Sequence, residues 1–199
     1  MPKEKRFIMI ITMIRHGQTH YNSLALVQGR VNNALNETGK KQARQAAILL
    51  NSQSFDAILS SPLSRALETA YIISKKIKYK HPIEVVPGFV ERDFYHLDGM
   101  PVKEAMKLVG TKNYRYEGFE HDEALIHRVT TTAFKLATKH QNQHVLCIAH
   151  SHVIKALLVK ADPKQFSFTN YLLSNGDRLT FEIKNHTITF IKHERHEDV

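Results

Sequence analysis

The sequence predicts an α/β fold, a three-layer α/β/α sandwich with a mostly parallel central sheet and a C-terminal hairpin. Three observations carry this. Short apolar runs alternate with helical segments along most of the chain, the pattern of strands joined by crossover helices. Two of the runs, Phe7 to Ile14 and Val145 to Ala149, are uninterrupted, as suits strands buried on both faces. Near the end, Arg178 to Lys184 and Thr187 to Lys192 alternate apolar and polar residues about Asn185-His186, the pattern of a hairpin.

Taken in order, the first run stops at Arg15-His16-Gly17 without a spacer, and Gln18 to Leu35 is polar and irregular. Asn36 is placed to cap a helix whose Ala43, Ala46, Ala47 and Leu50 fall at i, i+3, i+4 and i+7. Phe55 to Leu59 reads as a second strand. Ser61 and Pro62 then pair as N-cap and first-turn proline of a helix with Leu63, Ala66, Leu67, Ala70 and Ile73 on its apolar stripe. Arg65 lies off that stripe in the first turn, at the helix end that favours anions. Ile83 to Val86 is a third short strand, closed by Pro87-Gly88. Phe89 to Met100 reads as a loop, Pro101 opens a short helix to about Val109, and residues 110–118 are again irregular. His121 to His140 is the longest helical pattern, with Leu125, Val129, Ala133 and Leu136 or Ala137 inward. The fourth strand, Val145 to Ala149, ends at His150, and a helix from about Val153 to Lys160 stops at Asp162-Pro163.

The bulk numbers set limits. The chain has 199 residues, 42% hydrophobic and 24% charged, with no repeat, low-complexity tract or linker, so one domain over 1–199 is expected. No apolar run is long enough to cross a membrane. Met1 to Ile14 has a basic start and an apolar run but no small-residue cleavage site, so a cytoplasmic location without a membrane partner is expected. The single cysteine, Cys147, excludes a disulfide framework and a cysteine-based zinc site, and its apolar setting predicts an inert buried thiol. A net charge of +9 favours anionic partners. The densest basic cluster, Lys75, Lys76, Lys78 and Lys80, has only Tyr79 interleaved, which suits a solvated helix end better than nucleic acid.

Two histidines therefore end two apolar strands, and open α/β sheets bind ligands at the carboxyl ends of their strands. One such histidine is usually a bland strand end. Two, with Arg15 beside one and Arg65 at a helix start, suit a phosphate. Phosphoryl transfer spreads charge over three equatorial oxygens and is catalysed mostly by positioning and electrostatics. Arg15 and Arg65 offer forked, permanent cations, and His16 offers an in-line nucleophile that would become a phosphohistidine. His150, protonated beside the dianion, would add a donor. Such a set needs no metal and no cofactor. The leaving oxygen still needs a proton. Glu91 is the best candidate, with burial expected to raise its pKa, and Asp93 is its rival.

Arg15-His16-Gly17-Gln18-Thr19, with Asn22 and Gln28-Gly29-Arg30, resembles the signature of the histidine phosphatase superfamily, which includes the cofactor-dependent phosphoglycerate mutases and many small phosphatases. Ser60-Ser61-Pro62-Leu63-Ser64-Arg65-Ala66, followed by Glu68-Thr69-Ala70, is similar to its second arginine motif. Glu91-Arg92-Asp93-Phe94 looks like its acid segment, Gly118-Phe119-Glu120 like a pre-helix motif, and Ala149-His150 with Val153 to Leu157 like the second histidine motif. The matches keep the family's order from residue 10 to about 158. The resemblance implies a phosphoglycerate mutase-like fold with His16 as the phosphorylated nucleophile. It also implies Arg15, Arg65 and His150 around the phosphate, and Glu91, in preference to Asp93, as general acid and then base. Asn22, Gln28, Gly29 and Ser151 would line the substrate pocket.

Two positions depart from the family pattern. Ser151-His152 stands where a glycine usually follows the second histidine, and Tyr95 where a glycine is common after the acid segment's aromatic residue. Both concern pocket shape, and His152 reads more simply as a packed or exposed residue than as a second base. His193-Glu194-Arg195-His196 has spacing that could hold a metal but is expected to be a solvated terminus. The expected activity is metal-independent hydrolysis of small phosphorylated metabolites. A phosphoglycerate mutase, and then a non-catalytic phosphate-ligand binder, are the alternatives. The Gln28-Gly29-Arg30 loop looks like the phosphatase branch, and a mutase of this type usually carries an extra segment before the second histidine. Nothing in the sequence selects an oligomeric state.

Overall fold

Four apolar runs and a hairpin become one six-stranded sheet in the computed structural model, which describes residues 8–111 and 115–196. The strands are β1 (Ile8–Arg15), β2 (Ala57–Ser60), β3 (Glu84–Val85), β4 (His144–Ala149), β5 (Arg178–Lys184) and β6 (Thr187–Glu194), in the order β3-β2-β4-β1-β5-β6. From β3 to β1 neighbours run parallel, β5 is antiparallel to β1, and β6 returns along β5. The mostly parallel sheet and its closing hairpin are thus present. Phe7, which opens the first apolar run, lies outside the described residues.

The helices are α1 (His20–Ser23), α2 (Glu37–Leu49), α3 (Ser64–Lys76), α4 (Val102–Val109), α5 (Asp122–Lys139) and α6 (Ser151–Ala161). Strand side chains alternate between faces, so β4 feeds two cores. Val145, Cys147 and Ala149 pack with Leu125 and Val129 of α5 and Val153 and Leu157 of α6. Leu146 and Ile148 pack with Ala46 and Ala47 of α2 and Ala66, Ala70 and Ile73 of α3. These are the three layers. A smaller cluster of Val27, Phe94, Leu97, Ala105 and Phe119 fixes the long loops over the carboxyl ends of the strands. Cys147 is fully buried and burial pushes its thiol pKa up, so it is inert. No helix among the described residues is long and apolar enough to cross a membrane.

Several boundaries differ from the sequence reading. Asn36 does cap α2, through Oδ1 to the Gly39 N–H at 2.8 Å. Ser61 does not cap α3, which starts at Ser64 with Leu63 in the N-cap position and no side-chain cap. Its backbone still follows the sheet, donating to the Ile148 carbonyl at 3.0 Å, and its hydroxyl meets His150 instead. Inside the predicted irregular stretch 18–35, Thr19 and Asn22 form a capping box that starts the single turn α1. The α6 helix begins two residues earlier than its apolar pattern, because polar Ser151 and His152 occupy its first turn behind the extended N-cap His150. Residues 112–114 of the predicted irregular stretch lie outside the described residues.

The tail residues expected to be solvated are not. His193 lies in β6, with Nδ1 2.8 Å from the Tyr171 hydroxyl and Nε2 3.1 Å from the buried Asp177 carboxylate, and the His196 N–H donates to the same carboxylate. Pairing with β5 carries the tail into the sheet edge, which a local reading of its charged residues could not anticipate.

Candidate active site

The parallel pairing of β1 with β4 places Arg15 opposite Ala149, and the His16 N–H extends the ladder to the Ala149 carbonyl at 3.0 Å. The two strand-ending histidines therefore stand side by side, their ring centroids 5.1 Å apart at 62°. Behind them the first turn of α2 crosses the loop so closely that a Cβ on Gly17 would collide with the Gly39 carbonyl, and one on Gly39 with the Gln18 backbone. Only glycine fits at either position.

His16 is 3% exposed, and its Nδ1 lies 2.7 Å from the Gly17 carbonyl. A carbonyl only accepts, so Nδ1 carries the proton and Nε2 keeps its lone pair. Arg65 donates from Nε to that Nε2 at 3.1 Å. Burial, then the charges of Arg65, His150 and Arg15, holds the His16 pKa well below its ordinary range, so the ring is neutral.

Arg65 is fully buried on α3 and is held in place by Nη donations to the carbonyls of Val31 and Gly29, both at 2.7 Å. Burial lowers its pKa to about 10, which leaves it cationic at neutral pH. Two of its five N–H groups remain uncommitted. Arg15 is gripped by the loop before β5: its N–H and carbonyl bond Asp177 and Gly176, and one Nη donates to the Leu173 carbonyl. Its Nε is buried without a partner, as is Nδ1 of His150, whose Nε2 lies 2.6 Å from the Ser61 hydroxyl. Buried polar atoms are rarely left orphaned, and here two flank the nucleophile. Burial, and then Arg65, also lowers the His150 pKa, so this ring is neutral in the unliganded site.

Glu91 departs from expectation. Burial does act to raise its pKa, but hydrogen bonding and charge from His152, the neighbouring His150 and the Arg92 N–H outweigh it, and the carboxyl lies well below the usual carboxylate range. Oε1 accepts from the Arg92 N–H at 2.8 Å and Oε2 from the His152 N–H, at the start of α6, at 3.3 Å. The positive end of a helix thus faces a carboxylate, which favours its ionised form. Asp93 is held by Arg30 at 3.0 Å and accepts from the Tyr95 N–H, outside the cavity.

A cavity of about 180 Å³ opens on this group, lined by Arg15, His16, Asn22, Gln28, Glu91 and Ser151 among others. Gly29 lies behind it, giving its carbonyl to Arg65 and its N–H to Asp98. His152 lines the cavity too, with Nδ1 3.7 Å from Glu91 and its ring between Phe94 and Phe168. Tyr95, at the other departure from the family pattern, is 58% exposed with φ +53°, the left-handed backbone that a glycine adopts without strain. Three supporting residues escaped the sequence reading. Ser61 meets His150, Thr69 accepts from the Gly17 N–H at 3.1 Å, and Asn175 donates to the His16 carbonyl at 2.8 Å. Only Ser61 had a local signal, its place in the arginine motif, which also suits a helix cap. No group of three or more His, Cys, Asp and Glu suited to a metal occurs among the described residues.

Comparison with known proteins agrees with this geometry. The sequence model of the histidine phosphatase superfamily (branch 1) matches residues 11–196. The phosphatase PhoE of Bacillus subtilis (strain 168) is 35% identical over 198 residues, covering 92% of this chain and 98% of the relative. Among solved structures, a phosphoserine phosphatase from Entamoeba histolytica, solved with phosphoserine, has TM-score 0.78 and 23% identity, covering 93% of this chain and 96% of that one. A phosphoglycerate mutase from Bacillus anthracis has TM-score 0.82 and 19% identity, covering 94% and 93%, which bears on the fold alone. With the family match spanning nearly all of the chain, and a relative of matching extent named a phosphatase, the chain belongs to branch 1 of the histidine phosphatase superfamily and is a phosphatase of that type.

Proposed function

We propose that the chain hydrolyses small phosphate monoesters in two steps at His16, without a metal. In the first step Nε2 of His16 bonds to phosphorus, the ester P–O bond breaks, and Glu91 gives its proton to the leaving oxygen. In the second, Glu91 takes a proton from water, the water oxygen bonds to phosphorus, and the P–N bond breaks to release phosphate and neutral His16. Arg15, Arg65 and His150 hold the equatorial oxygens throughout, and two guanidinium groups supply the positive charge that a metal would otherwise bring. Asn22, Gln28 and Ser151 contact the organic part, and Gly29 acts through Arg65. All these residues hang on one sheet, so we read the chain as one catalytic domain.

The observation that carries this reading is a neutral His16 with Nδ1 pinned on the Gly17 carbonyl and Nε2 set among buried cations. A bound phosphate dianion favours protonation of Glu91 and His150 alike, opposing the ionisation of Glu91 in the unliganded site. Proton-bearing Glu91 therefore belongs to the substrate complex.

The test is a panel of phosphate esters assayed with chelator present, beside His16→Ala. Phosphate release should be unaffected by chelator, and His16→Ala should lose at least about a thousandfold in kcat/KM. Quenched wild-type enzyme should carry acid-labile, alkali-stable phosphate on protein. Return of phosphate to a second hydroxyl of the substrate, in place of release, would mark a mutase.

A further inference from the structure

The cavity at His16 has two unlike ends. The cations and histidines stand at one. The opposite wall is Leu26, Val27, Phe94, Val102 and Met106. This wall is built rather than incidental. The Val27 N–H donates to the Met100 carbonyl and the Val102 N–H to the Ala25 carbonyl, both at 2.8 Å, so two chain segments are stitched together where Leu26 meets Pro101. Val27 and Phe94 are buried in the cluster that also holds Leu97, Ala105 and Phe119. The wall continues outward. A wider cleft of about 640 Å³ shares Arg15, Asn22, Leu26 and Val102 with the cavity and adds Leu172 and Leu173.

Charge along this route is sparse. Among the described residues, Arg15 is the one lysine or arginine that lines either cavity, and it belongs to the phosphate end. The nearby cations are committed elsewhere. Arg30 pairs with Asp93 and Glu120, Arg92 with Asp122, and Lys155 donates to the Phe168 carbonyl. The carboxylate that does face the cavity, Glu91, repels anions. A second phosphate or a carboxylate on the substrate would lose its water against an apolar wall and gain no partner. An alkyl or aryl group would gain by burial there.

We infer that the substrates of this site are phosphate monoesters of uncharged, largely apolar alcohols or phenols, whose organic group passes between Leu26 and Val102 towards Leu172 and Leu173. The inference rests on the phosphatase reading above and narrows it. It sets this chain apart from neighbours solved with phosphoserine or with 3-phosphoglyceric acid, whose organic parts are charged.

The test compares para-propylphenyl phosphate with its para-carboxyethyl counterpart, which match in size and in leaving-group acidity, together with phosphoserine. The uncharged ester should exceed the carboxylated one by at least about tenfold in kcat/KM, and phosphoserine should be poorer than either. Val102 is 39% exposed in the first turn of α4, so Val102→Lys can be accommodated, and it should narrow or invert the ratio. Equal kcat/KM for the two aryl esters, or preference for the carboxylated one, overturns the inference while leaving the phosphatase reading intact. An unchanged ratio in Val102→Lys also overturns it, because the wall would then not be sensing charge. No turnover of any ester, with His16→Ala indistinguishable from wild type, overturns the phosphatase reading itself.

Discussion

At His16, burial and charge act in the same direction, since desolvation and three neighbouring cationic or imidazole groups all favour the neutral ring. A nucleophile needs that free lone pair, so the low pKa suits attack. At Glu91 the same burial is overruled by hydrogen-bond donors, and the unliganded carboxyl is ionised. Its proton matters in proportion to how poor the leaving group is. We expect Glu91→Gln to slow alkyl esters by about a hundredfold or more and nitrophenyl esters much less, because a nitrophenolate departs without help. Steady-state rates across a leaving-group series check this. Equal slowing at both ends would remove Glu91 from the acid role.

Among the elements, the crossing of α2 over the loop after β1 is the tightest contact behind the site. Gly39 lies in the first turn of α2, where alanine would normally be the better helix former by about 1 kcal/mol. Here a Cβ would meet the Gln18 backbone, and displacing packed backbone costs about 1–3 kcal/mol, so the clash wins. Gly39→Ala should therefore lower the thermal midpoint. It should also lower kcat/KM, because Gly17, whose carbonyl fixes the His16 tautomer, is the other face of that contact. A Gly39→Ala protein with raised stability and full activity would show that α2 can shift without moving the site.

For the whole molecule, the site sets a pH dependence of stability. His16 and His150 have folded pKa values held well below the ordinary 6.5, whereas in the unfolded chain they titrate near it. Between those values the unfolded chain binds more protons. Stability is therefore fully present above about pH 6.5 and falls as pH drops through this window, by up to about 1.4 kcal/mol per histidine per pH unit. Urea midpoints from pH 7 to 5 should show the loss, and His150→Gln should make it shallower. An identical slope in that variant would falsify the assignment to this histidine. The sheet also explains how distant motifs meet. The β4 strand lies between β2 and β1, so residues after strands far apart in sequence converge on one carboxyl edge.

Much of this was legible in the chain itself. The apolar runs, the helical spacings, the Asn36 cap and the C-terminal alternation are local patterns, and local patterns determine which segments become strands and helices. The histidine and arginine motifs were legible because phosphate chemistry restricts the residue types that can serve it. Tertiary structure alone decided the rest. The register of β1 against β4 puts the two histidines in contact, and Ser61 turns to His150 because its backbone stays in the sheet. Glu91 is ionised rather than protonated because the start of α6 and the Arg92 N–H point at it. The tail histidines are buried because β6 pairs with β5. Each of these outcomes depends on groups distant in sequence or on the direction of an N–H bond, and neither is written in a residue's identity.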